Sequence, residues 1–441
     1  VPYRPSMPVM TATSPSGGSD RPDGLVLAPF RALRYDVSAA PDLAQVTSPP
    51  YDVIDAAGVE ALEQESDVNV VRLILPRDVD REGDRYASAA ALLSAWRLDG
   101  VLVPDSEPAL YVYEQSSGDH VQRGLLGALA LSPPEDEIVL PHENTMSGTV
   151  SDRLALYTAV EADLEPIFLI YRGGGAASAL VAGIDAREPL VDVDLPDGLR
   201  HRLWAVTDPA VLASVAADLH GRTAMIADGH HRYATYLQRQ AAAVDAGRGA
   251  GPWDFGLTFL VDSTAFGPEV HAIHRVIPGH AVEDLASRAA SVFAVDDLDG
   301  GGIEAALAAL GAAEGPAFLL ASGDASVLRL LSRPDRDRLE ATLPADRSPA
   351  WRALDVSVLH HALVGQLWGL VDDVETVRYE HDVEAALANA QATGGVAVLL
   401  NPTPVAAVTE VAADGERMPR KSTLFTPKPR TGLVIRDHRD A

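Results

Sequence analysis

The stretch that decides the fold is Met225-Ile226-Ala227-Asp228-Gly229-His230-His231-Arg232-Tyr233-Ala234-Thr235-Tyr236-Leu237. Its first residues are apolar and suit a strand, Asp228-Gly229 is a turn pair, and Tyr233, Tyr236 and Leu237 follow at helical spacing. The stretch therefore predicts a strand, a tight turn and a helix. A helix that begins at such a turn presents unpaired N–H groups and the positive end of its dipole.

The same turn carries side chains that suit a phosphate-binding site. Gly229, which follows Asp228, lets a phosphate approach the backbone at the start of the helix. Arg232 offers a forked donor for phosphate or carboxylate, and His230 or His231 can move a proton near neutral pH. The alternative is a turn in which the histidines only cap backbone groups. Both interpretations stay open on these residues alone.

Composition limits the class of protein. With 441 residues, 47% of them hydrophobic, the chain is long enough for two domains. A formal charge of −28 repels nucleic acid, so we expect a small anionic substrate held in a dedicated positive pocket. The absence of cysteine excludes disulfides and thiolate chemistry. Without a membrane-length apolar run or a signal pattern, we expect a cytoplasmic protein with no membrane partner. The oligomeric state stays open.

The use of lysine is uneven along the chain. Of the 35 cationic side chains only two are lysines, Lys421 and Lys428, and they lie seven residues apart. Lysine differs from arginine in shape, hydration and ability to lose its proton. We therefore expect that a compact ammonium group is needed in this segment, the alternative being two surface lysines kept by chance.

The loop around the lysines imitates a phosphate loop without being one. The spacing from Gly415 to Lys421-Ser422-Thr423 resembles GxxxxGK[ST], but Arg420 replaces the last glycine and the prolines at 427 and 429 prevent the following helix. What remains is a basic, hydroxyl-bearing loop. We expect Arg420, Lys421, Ser422 and Thr423 to bind phosphate or carboxylate.

Two further segments contain candidate catalytic residues. In Ser48-Pro49-Pro50-Tyr51-Asp52 the prolines stiffen the backbone before Asp52, which is either a general base or magnesium ligand, or only a turn residue. His142 and Glu143 follow a strand at 138–140 and suit proton transfer or metal binding, the alternative being a solvated loop. The sequence does not say whether a metal is bound.

The order of elements predicts an α+β fold, mixed α/β, in two folded parts. We expect a disordered tail at 1–24, a domain at 25–245 that holds the DGHHR turn, and an α+β domain at 246–441 that holds the MPRKST loop, with a small-residue boundary near 241–251. The pattern also predicts a strand at 69–75, a hairpin at 109–131, a helix opened by Ser151, and a long helix at 351–369.

The chain is identified as a member of the bacterial and archaeal family catalogued as domain of unknown function one-zero-one-five. The resemblance covers Leu25 to Val434 and rests on the stretches APFRALRYD, SPPYDVI, NVVRLIL, HENT with the nearby DRL, IADGHHRYAT, LLNPT and GERMPRKSTLFTPKPRTGL. More distantly, the DGHHR turn and the proline-rich segment resemble the ParB and sulfiredoxin superfamily, in which a short turn at a helix start binds nucleotide phosphates. That superfamily includes free serine kinases.

The resemblance implies a ParB/sulfiredoxin-like N-terminal part and a function. Asp228, Gly229, His230, His231 and Arg232 would form the phosphate site, and Asp52 would deprotonate an acceptor. The expectation is a nucleotide-dependent kinase that uses ATP or ADP with magnesium on a small polar metabolite such as serine. One alternative is a hydrolase of a phosphorylated metabolite such as phosphoserine, with His142, Glu143, Asp228 and His231 arranging water or metal. Another is a nucleotide-binding regulatory protein without catalysis.

Overall fold

The computed structural model describes residues 22–36, 42–77, 84–298, 300–373 and 375–440. Nearly all of the tail expected at 1–24 lies outside the described residues. The strands are β1 Leu27–Ala28, β2 Leu33–Tyr35, β3 Leu102–Pro104, β4 Leu110–Ser117, β5 His120–Ala130, β6 Val139–Leu140, β7 Ala162–Asp163, β8 Ile167–Tyr171, β9 Val191–Asp194, β10 Arg200–Val206, β11 Ala224–Asp228, β12 Phe255–Asp262, β13 Glu269–His271, β14 His274–Ile277, β15 Ala294–Asp297, β16 Phe318–Ser322, β17 Leu328–Ser332, β18 Arg378–Glu380, β19 Val396–Leu399, β20 Leu424–Thr426 and β21 Arg436–Asp437.

Helices surround these strands. The α-helices are α1 Leu43–Val46, α2 Ala56–Glu65, α3 Val71–Ile74, α4 Arg85–Leu98, α5 Ser147–Val160, α6 Gly175–Ala182, α7 Pro209–His220, α8 His230–Asp245, α9 Val282–Ala289, α10 Gly302–Gly311, α11 Arg336–Thr342, α12 Pro349–Ala353, α13 Asp355–Ser357, α14 Val383–Thr393 and α15 Val405–Ala413. Short 3-10 turns lie at 51–53, 134–136, 184–186 and 252–254, and a π-helix spans 358–367. The fold is α+β, as the sequence predicts.

The strands form two large sheets. The first has nine strands in the order β6-β11-β8-β12-β5-β4-β10-β9, with β1 added to β5. In it β11 runs parallel to β6 and β12 parallel to β8, while the other pairs are antiparallel. The second has six strands in the order β15-β17-β16-β19-β14-β18. A continuous apolar cluster joins the two sheets, since it contains Phe259 of the first and Phe318 of the second.

The strand, turn and helix predicted at 225–237 are present. β11 is buried over its first four residues, as expected for an interior strand, and its pairing with β8 shifts by one residue between Ile226 and Asp228. Such a bulge re-aims the side chain that follows it, here Asp228. Gly229 then adopts φ +95° as the N-cap of α8, a conformation that favours glycine. The helix packs inward along the row that contains Tyr236 and Ala243.

The change from one sheet to the other falls later than the expected boundary between 245 and 246. β12 begins at Phe255 and lies between β8 and β5, in the interior of the first sheet. The second sheet starts with β14 at His274. The small-residue stretch at 241–251 is therefore a connection within the first sheet, because glycine and alanine mark a loop without saying what it joins. The division of the chain into two domains stays a prediction.

Three local predictions are wrong. The run Asn69–Leu75 contains helix α3 rather than a strand, because the segment is too short for its apolar residues to distinguish the two. Helix α5 begins at Ser147, four residues before Ser151, which was predicted to open it. The long helix expected at 351–369 is divided into α12, α13 and the π-helix at 358–367. The hairpin predicted at 109–131 is confirmed as β4 and β5.

None of the helices in the described ranges is both long enough and apolar enough to span a lipid bilayer.

Candidate functional site

The centre of the candidate site is an ammonium group between two carboxylates. Lys428 Nζ lies 2.6 Å from an oxygen of Asp52 and 2.6 Å from an oxygen of Asp228. Burial opposes the charge of Lys428, but the two carboxylates outweigh it and raise the pKa of the ammonium above its usual value. Segments that are far apart in the chain therefore meet at one cation.

Asp228 is held from its other side by Arg232. Arg232 donates from Nη2 to the second Asp228 oxygen at 2.5 Å and from Nη1 to the Pro166 carbonyl at 2.6 Å. Burial disfavours ionised Asp228, yet the charges of Lys428 and Arg232 hold the pKa of this carboxyl below its usual range. Arg232 is only 1% exposed. The guanidinium therefore lies behind the carboxylate rather than at the surface that a ligand would meet.

A buried group of polar and aromatic side chains surrounds Arg232. The Tyr51 ring lies between two guanidinium groups, 4.6 Å from that of Arg153 and 5.9 Å from that of Arg232. Glu165 accepts the Tyr51 backbone N–H at 2.9 Å, and burial raises the pKa of Glu165 while Arg232 and Arg153 oppose that rise. This group fixes the turn that contains Tyr51 and Asp52. The sequence-based site left out both Glu165, which stands in no recognisable motif, and Arg153, although Arg153 belongs to the quoted DRL stretch.

The histidines hold the backbone around the site. His230 Nε2 accepts the His142 N–H at 3.2 Å, and His231 Nε2 accepts the Met146 N–H at 3.0 Å. His142 is fully buried, and its Nε2 lies 3.0 Å from the Thr423 hydroxyl. Burial lowers the pKa of His142 to about 4 and lowers the pKa of His230 well below its usual value. Both rings are therefore neutral near pH 7. The predicted catalytic roles of His142, His230 and His231 stay predictions.

Two long helices begin at this place. Helix α5 has 14 residues and α8 has 16, and they pack against each other. No side chain caps the N-terminus of α5 at Met146 or that of α8 at Gly229. The bond from the Met146 N–H to His231 brings the two termini together. The positive dipole ends of two helices therefore lie close together, which favours an anion.

Glu143 has the proton affinity of an acid–base group. Burial raises the pKa of Glu143 to about 7, and the charge of Asp228 adds to the rise, whereas Lys421 opposes it. The residue keeps partial access to solvent. A carboxyl with this pKa exchanges a proton near neutral pH, as general acid–base catalysis requires.

The basic loop lies beside Glu143. Lys421 adopts φ +54° and its side chain is exposed, as is that of Arg420. Ser422 is buried and its hydroxyl donates to the Pro419 carbonyl at 2.5 Å. Thr423 bonds to His142, as described above. Between this loop and residue 440, the last described residue, no helix follows, so the loop is not an ordinary phosphate loop, as the sequence indicates.

The backbone of the Lys428 segment is fixed by polar side chains of the first sheet. Gln122 donates to the Pro427 carbonyl at 2.9 Å and Gln115 donates to the Lys428 carbonyl at 2.9 Å. The Tyr113 hydroxyl accepts the Arg430 N–H at 3.3 Å. These side chains come from the buried central strands β4 and β5. Polar groups inside a sheet need such partners, and here the partner is the segment that carries the ammonium.

The structure thus brings most predicted site residues to one region and divides them by accessibility. Those at its surface are Asp52, Glu143, His231, Arg420 and Lys421. Those packed behind it are His142, His230, Arg232 and Ser422, with Asp228 and Thr423 between the two groups. Lys428 was left out of the predicted site in favour of Lys421. Its signal was already present, because it is one of only two lysines.

The groups present suit a nucleotide-bound magnesium only in part. Within the described ranges, no cluster of three or more histidine, aspartate or glutamate side chains is placed to hold a metal alone. A magnesium ion that arrives with phosphates needs only one or two protein carboxylates. Asp52, whose side chain is 34% exposed, is placed to supply one.

Comparison with known proteins places the chain in a family. A family described as a protein of unknown function, DUF1015, matches residues 27–357, and the chain belongs to that family. No curated protein matches the sequence.

Solved structures give only distant similarities. A mutant free serine kinase in complex with ADP has 12% identity and a TM-score of 0.33, over 68% of this chain and 88% of that one. A truncated SbnI from Staphylococcus aureus has 10% identity and a TM-score of 0.34, over 70% and 87%. A conserved hypothetical protein from Pyrococcus furiosus has 13% identity and a TM-score of 0.33, over 74% and 100%. At these scores the function has to be argued from the site of this chain itself.

Proposed function

We propose that this member of the DUF1015 family is a phosphotransfer enzyme that moves a phosphoryl group between a nucleotide and the hydroxyl of a small polar metabolite. The observation that carries the proposal is the ammonium of Lys428 between Asp52 and Asp228 at the uncapped start of α8, with Glu143 near enough for the charges of Asp228 and Lys428 to act on its carboxyl. Phosphoryl transfer needs positioning and positive charge at the phosphate, and a group that takes the proton of the acceptor.

The charges of the site support an anionic ligand. The protein carries a formal charge of −28, which repels anions at its surface. The starts of α5 and α8, with exposed Arg420 and Lys421, oppose this field locally. Charged groups in a partly buried site interact more strongly than in water. A phosphate is therefore attracted to this region of the chain.

The residues take distinct roles in the proposal. Glu143 accepts the proton of the attacking hydroxyl, because its pKa near 7 leaves a useful fraction ionised at neutral pH. Lys421 and Lys428 offset negative charge that develops during transfer. Asp52 supplies an oxygen to a nucleotide-bound magnesium or, with Lys428 displaced, acts as a second base. Arg232 holds Asp228 in place and does not contact phosphate.

The acceptor is proposed to be a small hydroxyl compound. We put serine first as the acceptor from ATP, and phosphoserine first as the donor to ADP in the reverse direction, because the DGHHR turn resembles that of the free serine kinases. ATP or ADP is the nucleotide to test with each.

The test is incubation of the purified chain with ATP or ADP and magnesium, with a panel of hydroxy amino acids, followed by mass spectrometry of the products. Phosphorylated product is expected, and Glu143→Gln should reduce its rate by about 100-fold or more, the usual contribution of a general base. Glu304→Gln is the matched control, since Glu304 is an exposed carboxylate on helix α10, which packs against the second sheet. Absence of turnover across the panel would contradict the proposal.

The other two functions give different results in the same assay. Release of phosphate from phosphoserine without nucleotide would select the hydrolase. Saturable nucleotide binding without any product, together with a nucleotide-dependent change in the affinity for a partner, would select the regulatory protein.

A further inference from the structure

Arg275 is a buried cation directly behind the basic loop. It lies on β14 of the second sheet and is fully buried. Its Nη2 donates to the Lys421 carbonyl at 2.8 Å and to the Arg420 carbonyl at 3.3 Å. Its Nη1 donates to the Ile273 carbonyl. One guanidinium thus holds two successive carbonyls of the loop.

The Nε donor of Arg275 goes to a histidine rather than to a carboxylate, and Nη2 shares its N–H groups between that histidine and the two loop carbonyls. His360 Nε2 lies 3.2 Å from Arg275 Nε and 3.0 Å from Nη2, and His360 Nδ1 lies 2.9 Å from Asp372. His360 therefore accepts from Arg275 and donates to Asp372. Across the described ranges no carboxylate forms an ion pair with Arg275. Burial accordingly lowers the pKa of Arg275 to about 10.

Burying an arginine without a carboxylate partner is costly, so its position needs an explanation. In a planar peptide the C=O and the N–H point in opposite directions. Because the carbonyls of Arg420 and Lys421 face Arg275, the N–H groups of Lys421 and Ser422 face the other way. Lys421 also has the left-handed φ of +54° that lets successive N–H groups converge into a nest for an anion.

A carboxylate already lies on the open side of this turn. The Ser422 N–H and the charge of Lys421 both act to lower the pKa of the Glu143 carboxyl, which places that carboxyl near the turn. The Glu143 carboxylate is here a stand-in for an oxyanion. The direction of the N–H groups, set by the two carbonyls that Arg275 binds and by the φ of Lys421, therefore points to an anionic ligand.

We infer that the turn Arg420–Ser422 is a backbone oxyanion site whose N–H groups are aimed by Arg275, a positioning residue that never touches the ligand. The inference rests on the proposed function for its place in a reaction and deepens it by naming how the anion is held. The anion is either a terminal phosphate of the nucleotide or a carboxylate of the acceptor. When it binds, Glu143 leaves the turn and is free to take a proton.

The experiment measures binding by isothermal titration calorimetry on the full chain, with inorganic pyrophosphate and L-serine as probes. Arg275→Met should weaken binding of one probe by about tenfold or more, and the probe affected identifies the source of the anion. Arg275→Lys keeps the charge and loses the fork, so it should recover only part of the affinity. Arg288→Met on α9 is the matched control and should bind as wild type.

A second pair of variants guards against misfolding of the Arg275 variants. Lys421→Gly keeps the left-handed turn and removes the ammonium, so it should retain more affinity than Arg275→Met. His360→Gln breaks the contact with Asp372 and should weaken the same probe in the same direction. Circular dichroism establishes which variants are folded.

Each outcome decides the matter. Wild-type affinity in a folded Arg275→Met or His360→Gln protein would overturn the inference, as would a wild-type chain that binds neither probe. If Arg275→Met weakens probe binding as expected but the wild-type protein shows no turnover, the inference stands and the proposed function fails. Turnover with probe binding insensitive to Arg275 would remove the inference alone.

Discussion

Replacement of Lys428 by methionine should destabilise the protein, because it leaves two carboxylates without their shared cation. The side chain of Lys428 is 14% exposed, that of Asp228 13% and that of Asp52 34%. Removing one member of a buried ion pair costs about 3–5 kcal/mol, whereas an exposed pair is worth about 1 kcal/mol or less. Since Arg232 still pairs with Asp228, we expect a loss of about 3 kcal/mol.

The measurement is thermal unfolding of both lysine variants. An unfolding entropy of about 2 cal/mol/K per residue makes 1 kcal/mol worth about 1 °C for 441 residues that unfold together, so we expect Tm to fall by about 3 °C. The control is Lys421→Met, the same substitution at the exposed lysine, which should leave Tm unchanged. If Lys428→Met is as stable as Lys421→Met, the reasoning about the bridging ammonium is refuted.

The dependence of this loss on pH follows from the two pKa shifts. The pKa of Asp228 is lowered by folding, so its stabilising interaction is present above the unfolded value of about 4 and is lost as pH falls through the folded value. The pKa of Lys428 is raised, so its contribution is present below about 10.5 and is lost only at higher pH. The difference between Lys428→Met and wild type should be constant from about pH 5 to pH 9 and shrink below about pH 4.

Three other changes have defined outcomes. Asp163→Asn should lower the free energy of unfolding in urea by about 3–5 kcal/mol, because fully buried Asp163 pairs with Arg239 at 2.6 Å and Arg436 at 2.8 Å. Glu143→Gln should remove the rise of transfer rate with pH near 7 from the pH–rate profile, because the rate rises as that carboxyl ionises. Ser147→Pro removes one N–H at the first position of α5, where proline is tolerated, and should weaken pyrophosphate binding about threefold with Tm unchanged.

Each of these has a control and a contradicting result. Asp192→Asn, at an exposed ion pair, should change stability by less than about 1 kcal/mol, and an equal loss at both positions would contradict the buried network. A pH–rate profile unchanged by Glu143→Gln would assign the base elsewhere. Full pyrophosphate affinity in Ser147→Pro would remove α5 from the anion site.

The sequence predicted the strand, turn and helix at 225–237 because several signals agree there. An apolar run, a turn pair and helical spacing follow one another within 13 residues, and only glycine suits the conformation found at Gly229. The run at 69–75 has one signal, apolar residues, which both a strand and a buried helix satisfy. That ambiguity explains why α3 was predicted as a strand.

The sequence places residues in segments but does not give the direction of each side chain. Arg232 was predicted to hold phosphate, yet the spacing of α8 turns it inward with Tyr236, onto Asp228 and the Pro166 carbonyl. Phosphate binding by Arg232 stays a prediction, and its buried contacts favour a role in holding Asp228 in place. The residues around the two lysines could likewise not show which of them lies in the site. That depends on carboxylates more than 190 residues away in the chain.

The placement of Lys428 has a consequence for the order in which the molecule matures on the ribosome. By residue 400 the growing polypeptide already contains every strand of both large sheets, but no lysine. At about 5–20 residues per second, Lys428 is added to the chain roughly 1–6 s later. A chain released in this interval would contain every strand of both sheets. Asp52 and Asp228 would then repel each other, because their shared cation would be missing.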